Sequence, residues 1–462
     1  MTNFESKALG ALALTGLLAC GGDGNGSGTG MDMSAPRPGE DGGAGDLYAI
    51  EQVNEANAGE QLAMSLGPSG QPAVAYYDSL GEVTGTCGEG DDVRFTLHVA
   101  ERQGRSWVEE DVAEVLSLVL PRGLDLGLVD GELAVAGISG ELFVNAMNTY
   151  CSAHDVALYT PDGAGGWELD TLVEDSGEAP FDGPGANEGF VVGLFPAMAT
   201  NGSRTFIAYR DIHFGGIQSD DERRADLEAV FLGEGAGAGD GGRGAGRFMD
   251  AAFDADGRPL VAYVNDFDFD PASGIPSRGT HVAREAGDGS WETVLLGEDE
   301  TTPPGPSLWV GDDGVVRVAW QDPDRGQVRL ATLTDPERFD ELAGWSFERV
   351  GAPGLQDGEA PAGVTAGGVT AIAYRRCGDA GTDTCRAADD ALVVAWRPTG
   401  GGPDEWSFDV VDEGTNIGPC GLQPSVAIDD FDTLWVGYVC KVDVGGTSED
   451  RVFVAERLEV FE

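Results

Sequence analysis

Lysine is nearly absent from this 462-residue chain: only Lys7 and Lys441 occur, and every other basic side chain is arginine. The 27 Lys and Arg face 81 Asp and Glu, a formal net charge of −54. A surface this acidic repels phosphate backbones and anionic headgroups, which excludes nucleic-acid binding and attachment to lipid through a basic patch. Helical periodicity of useful length is missing, so a helical bundle or a doubly wound sheet is excluded. No apolar run approaches the roughly 20 residues of a transmembrane helix. Histidine is scarce, with four residues. There is no HExxH, GxSxG, P-loop or dinucleotide fingerprint in context, so the common hydrolase, NTPase and dehydrogenase motifs are absent. Glycine, by contrast, is abundant at 72 residues, and the 41% apolar share suffices for a packed core despite the charge.

The N-terminus reads MTNFESKALGALALTGLLAC. Lys7 precedes an apolar and small stretch from Ala8 to Ala19, the length of a signal-peptide core and too short to span a bilayer. It ends Leu17-Leu18-Ala19-Cys20 and resembles the lipobox of bacterial lipoproteins, in which the cysteine is lipidated and becomes the mature N-terminus. That resemblance implies a signal peptide over residues 1–19, lipidation at Cys20 and an extracytoplasmic place in the bacterial cell envelope. Residues 20–45 then form a tether rich in Gly, Ser and Pro, which holds the body roughly 25–30 Å from its anchor.

Residues 46–462 repeat one pattern. Its first phrase is a strand, a tight turn and a second strand that ends in most copies on an aromatic. Examples are LAMSLGPSGQPAVAYYD (62–78), LDLGLVDGELAVAG (124–137), PAMATNGSRTFIAYRD (196–211), DAAFDADGRPLVAYVND (250–266), PSLWVGDDGVVRVAWQD (306–322), PAGVTAGGVTAIAYRR (361–376) and PSVAIDDFDTLWVGYVC (424–440). Alternation at period two around Gly, Asp or Asn marks a β-hairpin. A third strand follows after a variable loop, as in FTLHVAER (95–102) and RVFVAER (451–457), and a fourth opens on Trp, as in WETVLL (291–296). Seven copies of four antiparallel strands predict an all-β, seven-bladed β-propeller; six blades with an irregular insertion is the alternative. Copy three lacks an evident fourth strand, and copy seven lacks its Trp strand. The missing strand of copy seven is supplied by residues 47–53, which are predicted to pair with 451–457 and close the ring.

The repeat resembles the broad sialidase-like class of bacterial secreted propellers. Such propellers carry Asp-box turns, Ser-x-Asp-x-Gly-x-x-Trp, between the third and fourth strands. The nearest segments here, 160–167 and 288–291, break that spacing. The resemblance implies, for a sialidase-type activity, an arginine triad, a tyrosine nucleophile with a glutamate partner and an aspartic acid. Arg210, Arg375 and Arg376 lie at second-strand ends, with Tyr76, Tyr77, Tyr209 and Tyr374 nearby. The tyrosines occupy the repeated aromatic position, which blade packing explains. His98 and His281 fall at equivalent third-strand positions and suit a structural role, while His154 and His213 are isolated.

Six cysteines follow Cys20, an even number that in an exported chain points to disulfides. Cys420 precedes the first strand of its hairpin and Cys440 ends the second, so antiparallel pairing makes them neighbours. Cys377 and Cys385 share a loop, which leaves Cys87 with Cys151. All six belong to the face on which the second-to-third-strand loops open. Those loops are long, at 79–92, 138–154, 212–225, 267–279, 377–390 and 441–450, and binding usually resides on such loops. Asp78, Asp211, Asp266 and Asp322 end second strands on this face and offer hard oxygen ligands for Ca2+, although no EF-hand spacing is present. The expected function is a lipid-anchored, non-catalytic binding or scaffold module for an envelope protein, peptide or glycan. A sialidase-like glycoside hydrolase or lyase and a Ca2+-dependent adhesive module are the alternatives.

Overall fold

The computed structural model describes residues 47–54, 57–83, 92–117, 123–142, 152–173, 191–212, 226–233, 235–237, 246–265, 278–287, 290–298, 305–322, 326–351, 356–377, 390–413, 419–459 and 461. They build twenty-eight strands and, among the described residues, no α-helix. Blade 1 comprises β2 (Ala58–Leu66), β3 (Pro72–Val83), β4 (Asp92–Gln103) and β5 (Ser106–Ser117). Blade 2 comprises β6 (Asp125–Val129), β7 (Glu132–Leu142), β8 (Ser152–Pro161) and β9 (Trp167–Val173), and blade 3 comprises β10 (Val191–Thr200), β11 (Thr205–Ile212), β12 (Asp226–Phe231) and β13 (Gly235–Gly237). Blade 4 runs through β14 (Arg247–Phe253), β15 (Pro259–Asn265), β16 (Gly279–Glu285) and β17 (Trp291–Gly297). Blade 5 holds β18 (Ser307–Val310), β19 (Val316–Asp322), β20 (Gln327–Leu333) and β21 (Trp345–Val350). Blade 6 holds β22 (Gln356–Ala366), β23 (Val369–Cys377), β24 (Ala391–Pro398) and β25 (Ser407–Glu413). Blade 7 is β26 (Leu422–Ile428), β27 (Leu434–Val444) and β28 (Thr447–Arg457), completed by β1 (Tyr48–Gln52).

This is the seven-bladed propeller. The N-terminal strand closes it against the expected partner segment, with Tyr48 opposite Arg457 and Gln52 opposite Phe453. Among the described residues seven apolar clusters form the core, and each is shared by two adjacent blades, including blades 7 and 1. The core is therefore a ring of interblade seams. It follows from strands whose two faces are both covered, such as the entirely buried β15. The closing strand is anchored on both flanks. Glu51 accepts from Arg102 of blade 1 at 2.9 and 3.0 Å, while the Tyr48 hydroxyl donates to Asp409 of blade 6 at 3.2 Å.

Three details differ from expectation. Blade 3 does have a fourth strand, but only the three residues Gly235–Gly237, because a Gly-Ala-Gly segment has no side chains to pack. Residues 441–450 are not a long loop. β27 and β28 continue as a ladder from Lys441 opposite Asp450 to Val444 opposite Thr447 and reverse at Gly445-Gly446, both at positive φ, as a tight hairpin turn demands. Parts of two other expected loops, 79–83 and 138–142, are likewise strand.

The innermost strands share a device that spacing alone did not reveal. Four of them carry a residue in left-handed conformation next to a register shift: Phe195 (φ 53), Phe248 (φ 49), Ala360 (φ 56) and Gln423 (φ 48). Two residues earlier stands a glycine that meets the preceding blade's third strand. A Cβ on Gly358 would sit 2.4 Å from the Val328 nitrogen, and one on Gly421 would sit 2.9 Å from Leu392 Cα. The bulge turns each strand end so that consecutive blades approach backbone to backbone. For blades 2 and 3, and 5 and 6, the approach becomes a parallel bridge that merges two blades into one sheet.

Candidate functional site

The second strands run outward to the face where the long loops open, and their repeated aromatic residue forms a buried ring of pillars. Tyr76, Tyr209, Tyr263, Trp320, Tyr374 and Tyr438 are each at most 1% exposed. Blade 2 has Gly137 at this position, and the Tyr77 hydroxyl of blade 1 lies against it. Three pillar hydroxyls donate to carboxylates of their own or the adjoining blade: Tyr76 to Glu109, Tyr209 to Glu228 at 2.7 Å and Tyr438 to Asp412 at 2.8 Å. Burial and the Glu109 hydrogen bond drive the Tyr76 phenol far above its ordinary value, so it stays protonated and donates.

Arg375 is held between Glu359 at 2.8 Å and Asp390 at 2.9 Å. Arg210 is 1% exposed, and Arg376 is half-buried. Of the four acids expected to gather for Ca2+, Asp322 accepts from Arg349 at 3.0 Å, Asp211 is wholly buried and Asp78 stands beside His98. They belong to separate blades, and Asp266 lies outside the described residues. Among the described residues these acids do not form one group of potential ligands.

His98 and His281 each stack on the pillar of the neighbouring strand, on Tyr76 and Tyr263, with ring centroids 5.3 Å apart in both. The side chains of His154 and His213 lie outside those described.

Cys420 and Cys440 form a disulfide across 20 residues, and Cys377 is also disulfide-bonded. Cys20, Cys87, Cys151 and Cys385 lie outside the described residues. The Asp412 carboxylate lies 3.8 Å from Cys440 Sγ. With both sulfurs oxidised that trio offers no thiolate to a metal.

Sequence reasoning missed two acids at the centre. Asp125 and Asp250 occupy the same position of their inner strands, one residue past the point opposite the pillar, where blades 1, 3 and 6 have Ala63, Ala197 and Ala362. Each carboxylate accepts its own following N–H at 2.8 Å and an N–H of the next blade at 2.7 Å, from Met198 and Leu308 respectively. Ser307 repeats the contact by accepting from the Gly363 N–H at 3.1 Å. Burial raises the carboxyl of Asp125 to about 7, helped by the charge of Asp250, and burial raises Asp250 to about 6. These acids pin blade to blade. The repeat alignment marks them, as two Asp residues at positions otherwise held by Ala or Ser.

The turns on the opposite face are held by side-chain oxygens. Asp254 accepts the N–H groups of Asp256 and Arg258, and Asp429 accepts those of Phe431 and Thr433. The box-like turn at 160–167 is of this kind, with Asp162 accepting from Ala164 and Gly166, and those hydrogen bonds hold its carboxyl below the usual range.

No family model and no curated protein matches this chain. Among solved structures, the NanB sialidase from Streptococcus pneumoniae is similar at 11% identity over 88% of this chain and 69% of its own, with a TM-score of 0.41. A Hadza microbial sialidase is similar at 13% identity over 79% and 73%, with a TM-score of 0.43. A xylan β-1,4-xylosidase from Bacillus halodurans C-125 is similar at 11% identity over 72% and 52%, with a TM-score of 0.33. Two of the three are sialidases, the class the repeat resembles, and at these identities no activity, substrate or site residue carries over to this chain.

Proposed function

We propose that the chain is a non-catalytic binding or scaffold module, held at the bacterial cell envelope by a lipidated Cys20. Its ligand, an envelope protein, peptide or glycan, would meet the face on which the second-to-third-strand and interblade loops open. The observation that carries this reading is the commitment of the polar side chains a sialidase-type site would use. The pillar tyrosines are buried, three donate to internal carboxylates, and Arg375 is closed between two acids. A buried ion pair of this kind holds its shape, because opening it leaves an uncompensated charge. The test is a glycan and peptide screen with the soluble body, followed by mapping of any hit. Protection on the loop face supports the reading, and binding confined to the hairpin-turn face overturns it. Labelling with a radioactive fatty acid should mark the wild-type chain and not Cys20→Ala.

The hydrolase or lyase reading draws on one contact, the Tyr209 hydroxyl donating to Glu228 at 2.7 Å, with Arg210 next in sequence. Two further buried tyrosine–acid pairs in other blades favour a structural role for it. Turnover of fluorogenic sialosides that disappears in Tyr209→Phe would replace the binding reading.

A further inference from the structure

The geometry points to a divalent metal site of the zinc class on blade 1, built from His98, Glu109 and Asp111 beside the seam with blade 7. His98 Nδ1 lies 3.0 Å from Asp111 Oδ1 and 3.9 Å from Glu109 Oε1, and one donor atom from each of the three residues falls within 4.8 Å of the others. Ligands of a tetrahedral ion with bonds near 2.1 Å stand about 3.4 Å apart, within the range spanned here.

A second observation makes this more than an acidic cluster. The His98 side chain is 10% exposed, and both ring nitrogens are buried, yet neither has a hydrogen-bond partner among the described residues. The Asp111 oxygen is close enough for an ion pair and lies off the line an N–H bond needs. A buried imidazole that faces carboxylates with no aligned hydrogen bond suits an in-plane lone pair directed at a cation.

The surroundings have the form of a metal centre. Asp78 Oδ2 lies 4.0 Å from His98 Nε2, on the far side of the ring, where an outer carboxylate orients a ligating imidazole. Tyr76 stacks on the ring and its hydroxyl donates to Glu109, which fixes two of the three ligands. Asp78 feels the charges of His98, Glu109, Arg451 and Asp111, and Arg451 also donates to Glu449. Three carboxylates thus surround one imidazole, and Arg451 is the cation near Asp78. One nitrogen and two oxygen donors favour zinc over calcium, which takes six to eight oxygens. Asp111 is 80% exposed, so a fourth position opens to water or to a ligand's donor atom. The site is independent of the binding reading above.

The test uses the soluble body, stripped with chelator and titrated with Zn2+ in buffer holding excess Mg2+ and high NaCl, which suppresses loose binding to the acidic surface. Bound metal is counted, and Co2+ is substituted to read the visible absorption of a four-coordinate site. One tight ion per chain is expected, lost in His98→Ala and in Glu109→Gln with Asp111→Asn, whose carboxylates are exposed enough for the fold to survive. Asp78→Asn should weaken affinity about tenfold or more, and His281→Ala should leave it unchanged. Binding that survives the double substitution, displacement by equimolar Ca2+, or no tight binding at all overturns the proposal.

Discussion

Blades 1 and 4 carry the same pillar and the same stacked histidine, Tyr76 with His98 and Tyr263 with His281, at the same 5.3 Å separation. Their outer strands differ. Opposite His98 and Ala100 stand Asp111 and Glu109, and opposite His281 and Ala283 stand Leu295 and Thr293. Near the second-strand end, Asp78 in blade 1 corresponds to Asn265 in blade 4. The inner strands differ in the opposite sense, with Asp250 pinning blade 4 to blade 5 where blade 1 has Ala63. The repeat therefore specifies the stack, and the positions around it are free to diverge. Blade 1 concentrates acid at its periphery and blade 4 at the axis.

The largest expected effect tests what the two blades share. Tyr76→Ala and Tyr263→Ala each remove a fully buried ring and should lower stability by about 3–5 kcal/mol in denaturant melts. A far smaller loss in one blade would show that its pillar is not core. The next test separates them. At a free Zn2+ concentration of about 100 Kd the metal should stabilise the wild type and His281→Ala by about 2.7 kcal/mol and leave His98→Ala where it was. Placing Glu at Thr293 and Asp at Leu295 should begin to confer the same response on blade 4, read as a melting shift with Zn2+.

Asp250→Ala should cost about 1–3 kcal/mol, because it strands the buried Leu308 N–H, whereas Ala63→Ser in blade 1 should change little. The same acids set a pH dependence of known sign. Folding raises Asp125 to about 7 and Asp250 to about 6 from 3.8, so between those values the native state binds more protons than the unfolded chain. Their contribution to stability is present at low pH and is lost as pH rises from about 4 to 7. Replacing both with Asn should flatten that part of the stability profile. The smallest effect belongs to the half-buried Lys441–Asp450 pair on the arm of blade 7, where Lys441→Ala should cost under about 1 kcal/mol and less in salt.

Much of the architecture was legible because its signals are local. Period-two alternation, Asp and Gly at the turns and a closing aromatic mark each hairpin within some 17 residues. Counting them exposed the strand borrowed from the N-terminus. Gly445-Gly446 was legible in principle as a two-residue hairpin turn and was obscured by the acidic residues around it. The candidate site was less legible. The identical Ala-Tyr phrase precedes Arg210 in blade 3 and Arg375 in blade 6, and nothing local says that Arg375 closes on Glu359 and Asp390. Asp125 reads as one acid among 81, and its role appears only when Met198, 73 residues later, presents its N–H.

The amino-acid sequence by itself determined the strand-and-turn repeat and the closing strand borrowed from the N-terminus, since each depends on side chains a few residues apart and on the need to cover a sheet edge, whereas the choice of seven blades over six came with the fourth strand of blade 3. The tertiary structure alone decided which polar groups are spent, because that depends on contacts between strands and loops distant in sequence, within a blade as for Arg375 with Glu359 and Asp390 and between blades as for Tyr438 with Asp412. Packing between blades buries the tyrosines, and strand pairing inside blade 1 leaves His98, Glu109 and Asp111 facing one another.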